Sequence, residues 1–359
     1  MSISSASLRR FINDALLEAG LPADHAESAA DILATADEFG VSTHGVKLLA
    51  GYLKRLKAGG TRSQGRPHVI KEGPAWALVD GDAALGAVTG VFSMQVAIAK
   101  AGSTGIAYVG VRNGGHFAAV GCYSLMAAHA GLIGISVAND IPSVVAPGSR
   151  KAVLGTNPFS YALPASRHPP ILLDMATSAA AGGKVYQARM LGKPIPDTWI
   201  VDLDGRPTTD ASLYPEKASL APAAGHKGFG LALLVEALAA LVSGAAATWG
   251  VGSWMIGDLA RPTEHGAAFI AVDPAVFGGR KEFLERVDAL IDEIHAAPPV
   301  EGGDPIIVPG EREHAHQARV RREGLVLSPD VAENLALAAQ MTGLALSQYL
   351  SSPASHDRR

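Results

Sequence analysis

Apolar residues at three- and four-residue spacing open the chain. Leu8, Phe11, Ile12, Ala15 and Leu16 fall on one face of a helix. A second helix is predicted within residues 23–40, burying Ala29, Ile32, Leu33, Ala36 and Phe39, with Gly40 as its stop. A third is predicted to start at the Ser42–Thr43 pair and end at Gly59–Gly60, packing through Val46, Leu49, Leu53 and Leu56. On that helix His44 would share a separate stripe with Lys47, Leu48 and, one turn on, Tyr52.

From about Pro74 to Asp273 the period shortens. The runs "AWALVDG", "GIAYVGV", "LIGISVAN", "PPILLDMAT" and "AAFIAVDP" read as strands, and they alternate with helical stretches and Gly/Pro turns. That alternation predicts an α/β fold with a mixed or mostly parallel sheet and helices on its faces. Residues 301–324 are polar, and a last helix precedes a tail, 351–359, expected to be disordered.

Composition narrows the class. With 48% hydrophobic and 18% charged residues among 359, the chain has ample material for a core. A net charge of −4 argues against a nucleic-acid surface. Cys122 is the single cysteine, so no internal disulfide can form. The N-terminus lacks a signal-peptide pattern. The most apolar stretch, Leu231 to Val242, is too short to cross a bilayer and carries Glu236. A soluble, cytoplasmic protein with no membrane partner is expected.

Three stretches carry candidate chemistry. In the first, the imidazole of His44 suits proton transfer near neutral pH, while Ser42 and Thr43 either orient the ring or merely cap the helix. In the second, His116 follows a predicted strand on a Gly-rich turn that opens a helix, where exposed amides suit phosphate groups. A plain strand–helix turn explains the same residues. In the third, Gly225, Gly228 and Gly230 form a trio with no preceding strand, beside His226 and Lys227 at the start of an apolar helix. Either an anion or close helix packing accounts for it.

Asp174 closes an apolar strand, and the turn from Pro309 to Glu313 exposes amides. His314 and His316, two residues apart on a helix, point away from each other, so no metal site is expected.

Collinear motifs join these stretches: "GVSTHGV", "NGGHFAAVGCY", "VLGTNPFSYALP", "ILLDMATSAAAGGK", "GHKGFGLALLVEAL", "FIAVDP" and "VPGERE". From about Leu8 to Leu327 the chain resembles the malate/L-lactate dehydrogenase family, which is unrelated to the classical Rossmann enzymes. The resemblance implies an NAD- or NADP-dependent oxidoreductase, usually a homodimer or larger. It also implies an atypical mixed-sheet NAD(P)-binding domain, 73–295, subdividing near 117–185. A helical domain would be built from both termini, 1–72 plus 296–359.

By the same resemblance His44 donates the proton to the substrate carbonyl or imine and Thr43 orients it, although in some members the counterpart of His116 acts instead. Cofactor contacts map onto His116, Phe117, Ala118, Ala119 and Val120, onto Asp174, Met175 and Ala176, onto His226 and Lys227, and onto Pro309, Gly310 and Glu311. The substrate side maps onto Lys47, Leu48, Tyr52, Asp140 and Lys184. Leu48 replaces the arginine that grips the substrate carboxylate, and Lys47 is the alternative point charge. Lys184 matches the hydroxyacid dehydrogenases, where the imine reductases carry an aspartate.

The resulting expectation is interconversion of a 2-hydroxy acid and a 2-oxo acid. Reduction of a cyclic imine (a pyrroline- or piperideine-2-carboxylate) is the alternative. A cofactor-binding relative without catalysis is a further reading, motivated by Leu48.

Overall fold

Ser4 stands just before the first apolar stripe. Its side chain accepts the Ser7 N–H at 3.1 Å and so fixes the start of α1 (Ser5–Glu18). The computed structural model describes residues 2–350, and the tail 351–359 lies outside them. Helix α1 buries Leu8, Phe11, Ile12, Ala15 and Leu16, as its spacing predicts. Helix α2 (Ala23–Glu38) ends at Gly40, whose φ of 79° is open to glycine at little cost.

The predicted third helix is broken. Ser42–His44 and Val46–Leu48 form two short 3₁₀ turns, and α3 (Leu49–Ala58) begins only after them. Gly45, between the turns, is extended at φ −95°, ψ −145°. A tertiary bond overrides the helical pattern here, because the buried Asp37 carboxylate accepts the Val46 N–H at 2.7 Å. His44 therefore does not ride a common helical stripe with Lys47 and Tyr52.

Seven strands form the main sheet: β1 (His68–Gly73), β2 (Trp76–Asp80), β3 (Ile106–Gly114), β4 (Ile133–Ala138), β5 (Phe159–Leu163), β6 (Ile171–Met175) and β7 (His265–Val272). Their spatial order is β1-β2-β3-β7-β4-β5-β6. Only β2 and β3 pair in parallel, through the crossover helix α4 (Gly86–Thr104); the other five pairings are antiparallel. The sheet is mixed but mostly antiparallel. Strands β3 and β4 do run the same way, with α5 (Gly121–His129) between them in the chain. The late strand β7 inserts antiparallel between the two, and local alternation does not reveal that.

A smaller five-stranded sheet, drawn from residues 144–220, has its own core of Val144, Val185, Ile195, Ile200, Tyr214 and Leu220. Helix α6 (Gly182–Met190) supplies Val185. The chain continues through α7 (His226–Glu236), a π turn at Ala237–Leu241, α8 (Arg280–His295), α9 (Glu311–Glu323) and α10 (Pro329–Thr342).

Both ends meet: Ser2–Ile3 pairs with Leu325–Val326, and α10 packs on α3. One apolar core joins this helical layer to the sheet, running from Phe11 and Leu33 through Val109 and Phe269 to Leu335. The expected boundary at 72/73 falls inside β1, which pairs with β2. Among the described residues no helix is long and apolar enough to cross a membrane.

Candidate active site

The topology brings one end of three neighbouring strands together. His116 lies just past the carboxyl end of β3, Asp140 just past that of β4, and His265 begins the antiparallel β7 between them. They face a cleft of about 1710 Å³, whose walls also carry Thr43, His44, Lys47, Leu48, Trp254 and Lys184.

Thr43 is no helix cap: its Oγ1 lies 2.9 Å from His44 Nδ1 and fixes the ring. Tyr52 is buried behind the wall, and its hydroxyl is 2.7 Å from His116 Nδ1. That hydroxyl has no other hydrogen-bond partner among the described residues, and burial keeps the phenol protonated, so its proton goes to His116. With Nδ1 accepting, the neutral imidazole carries its hydrogen on Nε2. Trp254 stacks on His116, with centroids 4.4 Å apart and planes 21° apart. The rings of His44 and His116 lie 6.0 Å apart, inclined at 24°.

Both imidazoles are half-buried on the cleft wall, and this sets their charge. Burial pulls His116 down to about 3; the carboxylate of Asp140 pulls the other way, and the neighbouring His44 and His265 reinforce burial. His44 is lowered for the same first reason, with Asp140 opposing. Each is therefore poised as a neutral base or hydrogen-bond donor. Burial disfavours the Asp140 carboxylate, but bonds from His265 Nε2 (3.2 Å) and Ile141 N–H (2.8 Å) outweigh it and hold the group below its usual range.

Several expected contacts are placed elsewhere. Lys47 turns to Asp330, 2.6 Å away, and does not serve as a free point charge; that bond, with Ser328, pulls the Asp330 carboxyl to about 2. Tyr52 serves His116 rather than His44.

The turn His116–Val120 and Asp174–Ala176 do line the cleft. The first amide of α5 is already capped, however, because Gly121 N–H donates to Asp174 Oδ2 at 2.8 Å. Burial raises that carboxyl to about 6, partly offset by the Gly121 bond. A phosphate on this helix end would have to face Asp174.

His226 and Lys227, which open α7, are not on the cleft wall, and neither are Pro309, Gly310 and Glu311. Pro309 and Glu311 tie their turn to β6 and α8. Leu172 N–H donates to Pro309 O at 2.9 Å, and Glu311 accepts from His295 at 2.6 Å. His314 and His316 go separate ways, to Pro170 O and Glu38 O. Among the described residues no cluster is arranged to hold a metal ion.

Two wall residues escape the sequence reading. His265 stands two residues before the predicted strand "AAFIAVDP", and only its pairing with Gly114 brings it near His116. Trp254 lies in a loop without periodicity. Behind them Glu236, the last residue of α7, accepts from Asn157 Nδ2 (2.8 Å), Asn139 Nδ2 (3.3 Å) and Thr248 N–H (2.9 Å). Asn157 and Asn139 in turn fix the amides of Asp140 and Gly266.

A family model described as malate/L-lactate dehydrogenase matches residues 3–336. The chain belongs to that family. Among members, it is 36% identical over 353 residues to the L-sulfolactate dehydrogenase of Methanocaldococcus jannaschii, covering 98% of this chain and 100% of that one. A solved structure of sulfolactate dehydrogenase from M. jannaschii superposes with a TM-score of 0.90 at 34% identity, covering 97% and 99% of the two chains.

Ureidoglycolate dehydrogenase (NAD(+)) of Escherichia coli O157:H7 is 34% identical over 335 residues, 93% of this chain and 95% of its own. A Pseudomonas putida reductase of pyrroline- and piperideine-2-carboxylate is 33% identical over 302 residues, covering 84% and 86%. This malate/lactate dehydrogenase family member is thus an oxidoreductase of the dehydrogenase/reductase type.

Proposed function

We propose that the chain catalyses reversible hydride transfer between a nicotinamide dinucleotide and a 2-hydroxy/2-oxo acid, with His44 carrying the proton. One observation carries the reading: two largely unprotonated imidazoles, 6.0 Å apart on one cleft wall, each have one nitrogen engaged by a hydroxyl group.

A cleft of about 1710 Å³ exceeds the roughly 300–1,000 Å³ of drug-sized sites, leaving room for a dinucleotide beside a small acid. The turn Phe117–Val120, Met175–Ala176 and the small residues 179–183 would hold the cofactor, offering backbone along that wall. The cofactor, when bound, supplies or accepts the hydride.

The chain's own groups manage the proton. His44 takes it from the hydroxyl of a 2-hydroxy acid and returns it in reduction, with Thr43 holding Nδ1. His116, with hydrogen on Nε2, donates a hydrogen bond to the substrate oxygen as a neutral electrophile, backed by Tyr52. The amino end of α6 supports binding of the acid. A Cβ on Gly183 would lie 3.1 Å from Thr43 Cγ2, so Lys184 belongs to the wall beside Thr43.

Reduction of a cyclic imine is the second reading, favoured by Asp140, whose negative charge suits an iminium cation. A spectrophotometric screen of NADH and NADPH against 2-oxo acids and cyclic imines separates the two. Turnover of oxo acids supports the first and turnover of imines alone the second. Cofactor binding with no turnover would indicate the non-catalytic relative.

A homodimer belongs to the same reading, since Leu233, Leu234, Leu241 and Val242 are exposed on and after α7. Sedimentation at twice the monomer mass tests it.

A further inference from the structure

Asp37 sits on the last turn of α2, 1% exposed, where neither the proton chemistry nor cofactor binding uses it. One oxygen accepts the Val46 N–H at 2.7 Å; the other, Oδ1, has no partner among the described residues. Burying a carboxylate half-satisfied is costly, and an apolar side chain of similar volume would stabilise the fold better. Burial raises the carboxyl to about 7, with the Val46 bond opposing and Glu38 adding to the rise. The fold retains a group it would gain by losing.

Its surroundings supply a reason. Between α2 and α3 the chain has no α-helical turn, and the amides of His44, Gly45 and Leu48 bond only three residues back. The bond from Val46 is the one that crosses from the 42–48 segment to α2. Gly45 packs its backbone flat on the carboxylate, and any Cβ there would overlap Asp37.

We propose that Asp37 is a positioning residue, clamping the Gly45–Val46 backbone so that the Ser42–His44 turn presents the imidazole to the cleft. The structural part stands by itself; only the kinetic arm below rests on His44 carrying the proton.

The test compares Asp37→Ala with Asp37→Asn in the full-length protein, following the His44 ring signals by nitrogen-15 NMR. Those signals are assigned with His44→Ala, and the signals of exposed His68 serve as control. The proposal expects the His44 signals to shift or broaden in Asp37→Ala and to return in Asp37→Asn, whose side-chain oxygen still accepts from Val46. Turnover should fall about 10²-fold in Asp37→Ala, the scale of a small misplacement of a reacting group, and recover to within about threefold in Asp37→Asn. The cofactor Kd should stay constant.

Should Asp37→Ala fail to fold, Gly45→Ala carries the test, since its methyl group forces the clamp apart while the aspartate itself is retained. Unmoved His44 signals in the folded Ala variant, or in Gly45→Ala, would overturn the proposal. So would an Asn variant as displaced as the Ala one. Displaced signals with unchanged turnover would support the clamp and count against His44 as the proton carrier.

Discussion

The hydroxyl of Tyr52 lies 2.7 Å from Nδ1 of His116, its one hydrogen-bond partner among the described residues. A buried phenol thereby decides which imidazole nitrogen bears hydrogen. Burial also raises the phenol's own pKa far above its ordinary value, so it stays protonated throughout the working range.

Tyr52→Phe removes this bond while keeping the ring. A net hydrogen bond of about 1 kcal/mol predicts a loss in kcat of roughly 5-fold, rising to about 10-fold if the tautomer is lost. Steady-state kinetics with the thermal midpoint measured alongside check it, since the fold should change little.

On the proposed reading, substrate choice turns on Leu48. It lines the cleft one helical turn before Tyr52, and among the described residues no arginine shares that wall. Leu48→Arg should therefore raise kcat/KM for oxaloacetate over pyruvate by about 10-fold or more, the scale of one new charge-assisted bond. By contrast, Lys47→Ala should alter kcat/KM by less than about threefold. Lys47 is held by Asp330 in a half-exposed pair worth roughly 0–1 kcal/mol. A substrate panel with both variants measures these effects.

Stability should depend on pH through two groups of opposite sign, the half-buried His116 and the buried Asp37. His116 drops from 6.5 to about 3 on folding, so between those values the unfolded chain binds a proton that the folded chain refuses. That contribution to stability falls as pH drops from 6.5 toward 3. Asp37 rises from 3.8 to about 7, so the folded chain holds a proton the unfolded one has released. Its contribution is lost as pH rises across that window. Urea melts at several pH values should show His116→Asn flatter on the acid side and Asp37→Asn flatter toward neutrality. Curves parallel to wild type would contradict both.

Much of the fold is legible in the chain because it is local. The stripe of α1, the Gly40 stop and the run "GIAYVGV" each carry their own period, and the structure follows them. What sequence spacing misses depends on distant partners. The helix expected from Thr43 is broken by a carboxylate on α2, and β7 enters the sheet from more than a hundred residues away.

The same holds at the site. His44, His116 and Thr43 stand out by residue type, and the cleft does bring them together. His265 and Trp254 join them only through strand register and a loop. His226, Lys227 and Pro309–Glu311 lie in stretches that look equally functional, yet they fall outside the cleft wall.

The most direct measurement is turnover of His44→Ala on the best oxo acid, alongside its cofactor Kd. Loss of a positioned acid–base group predicts a kcat lower by about 10²-fold or more with the Kd unchanged. A kcat within about threefold of wild type would contradict the account and move the proton to His116.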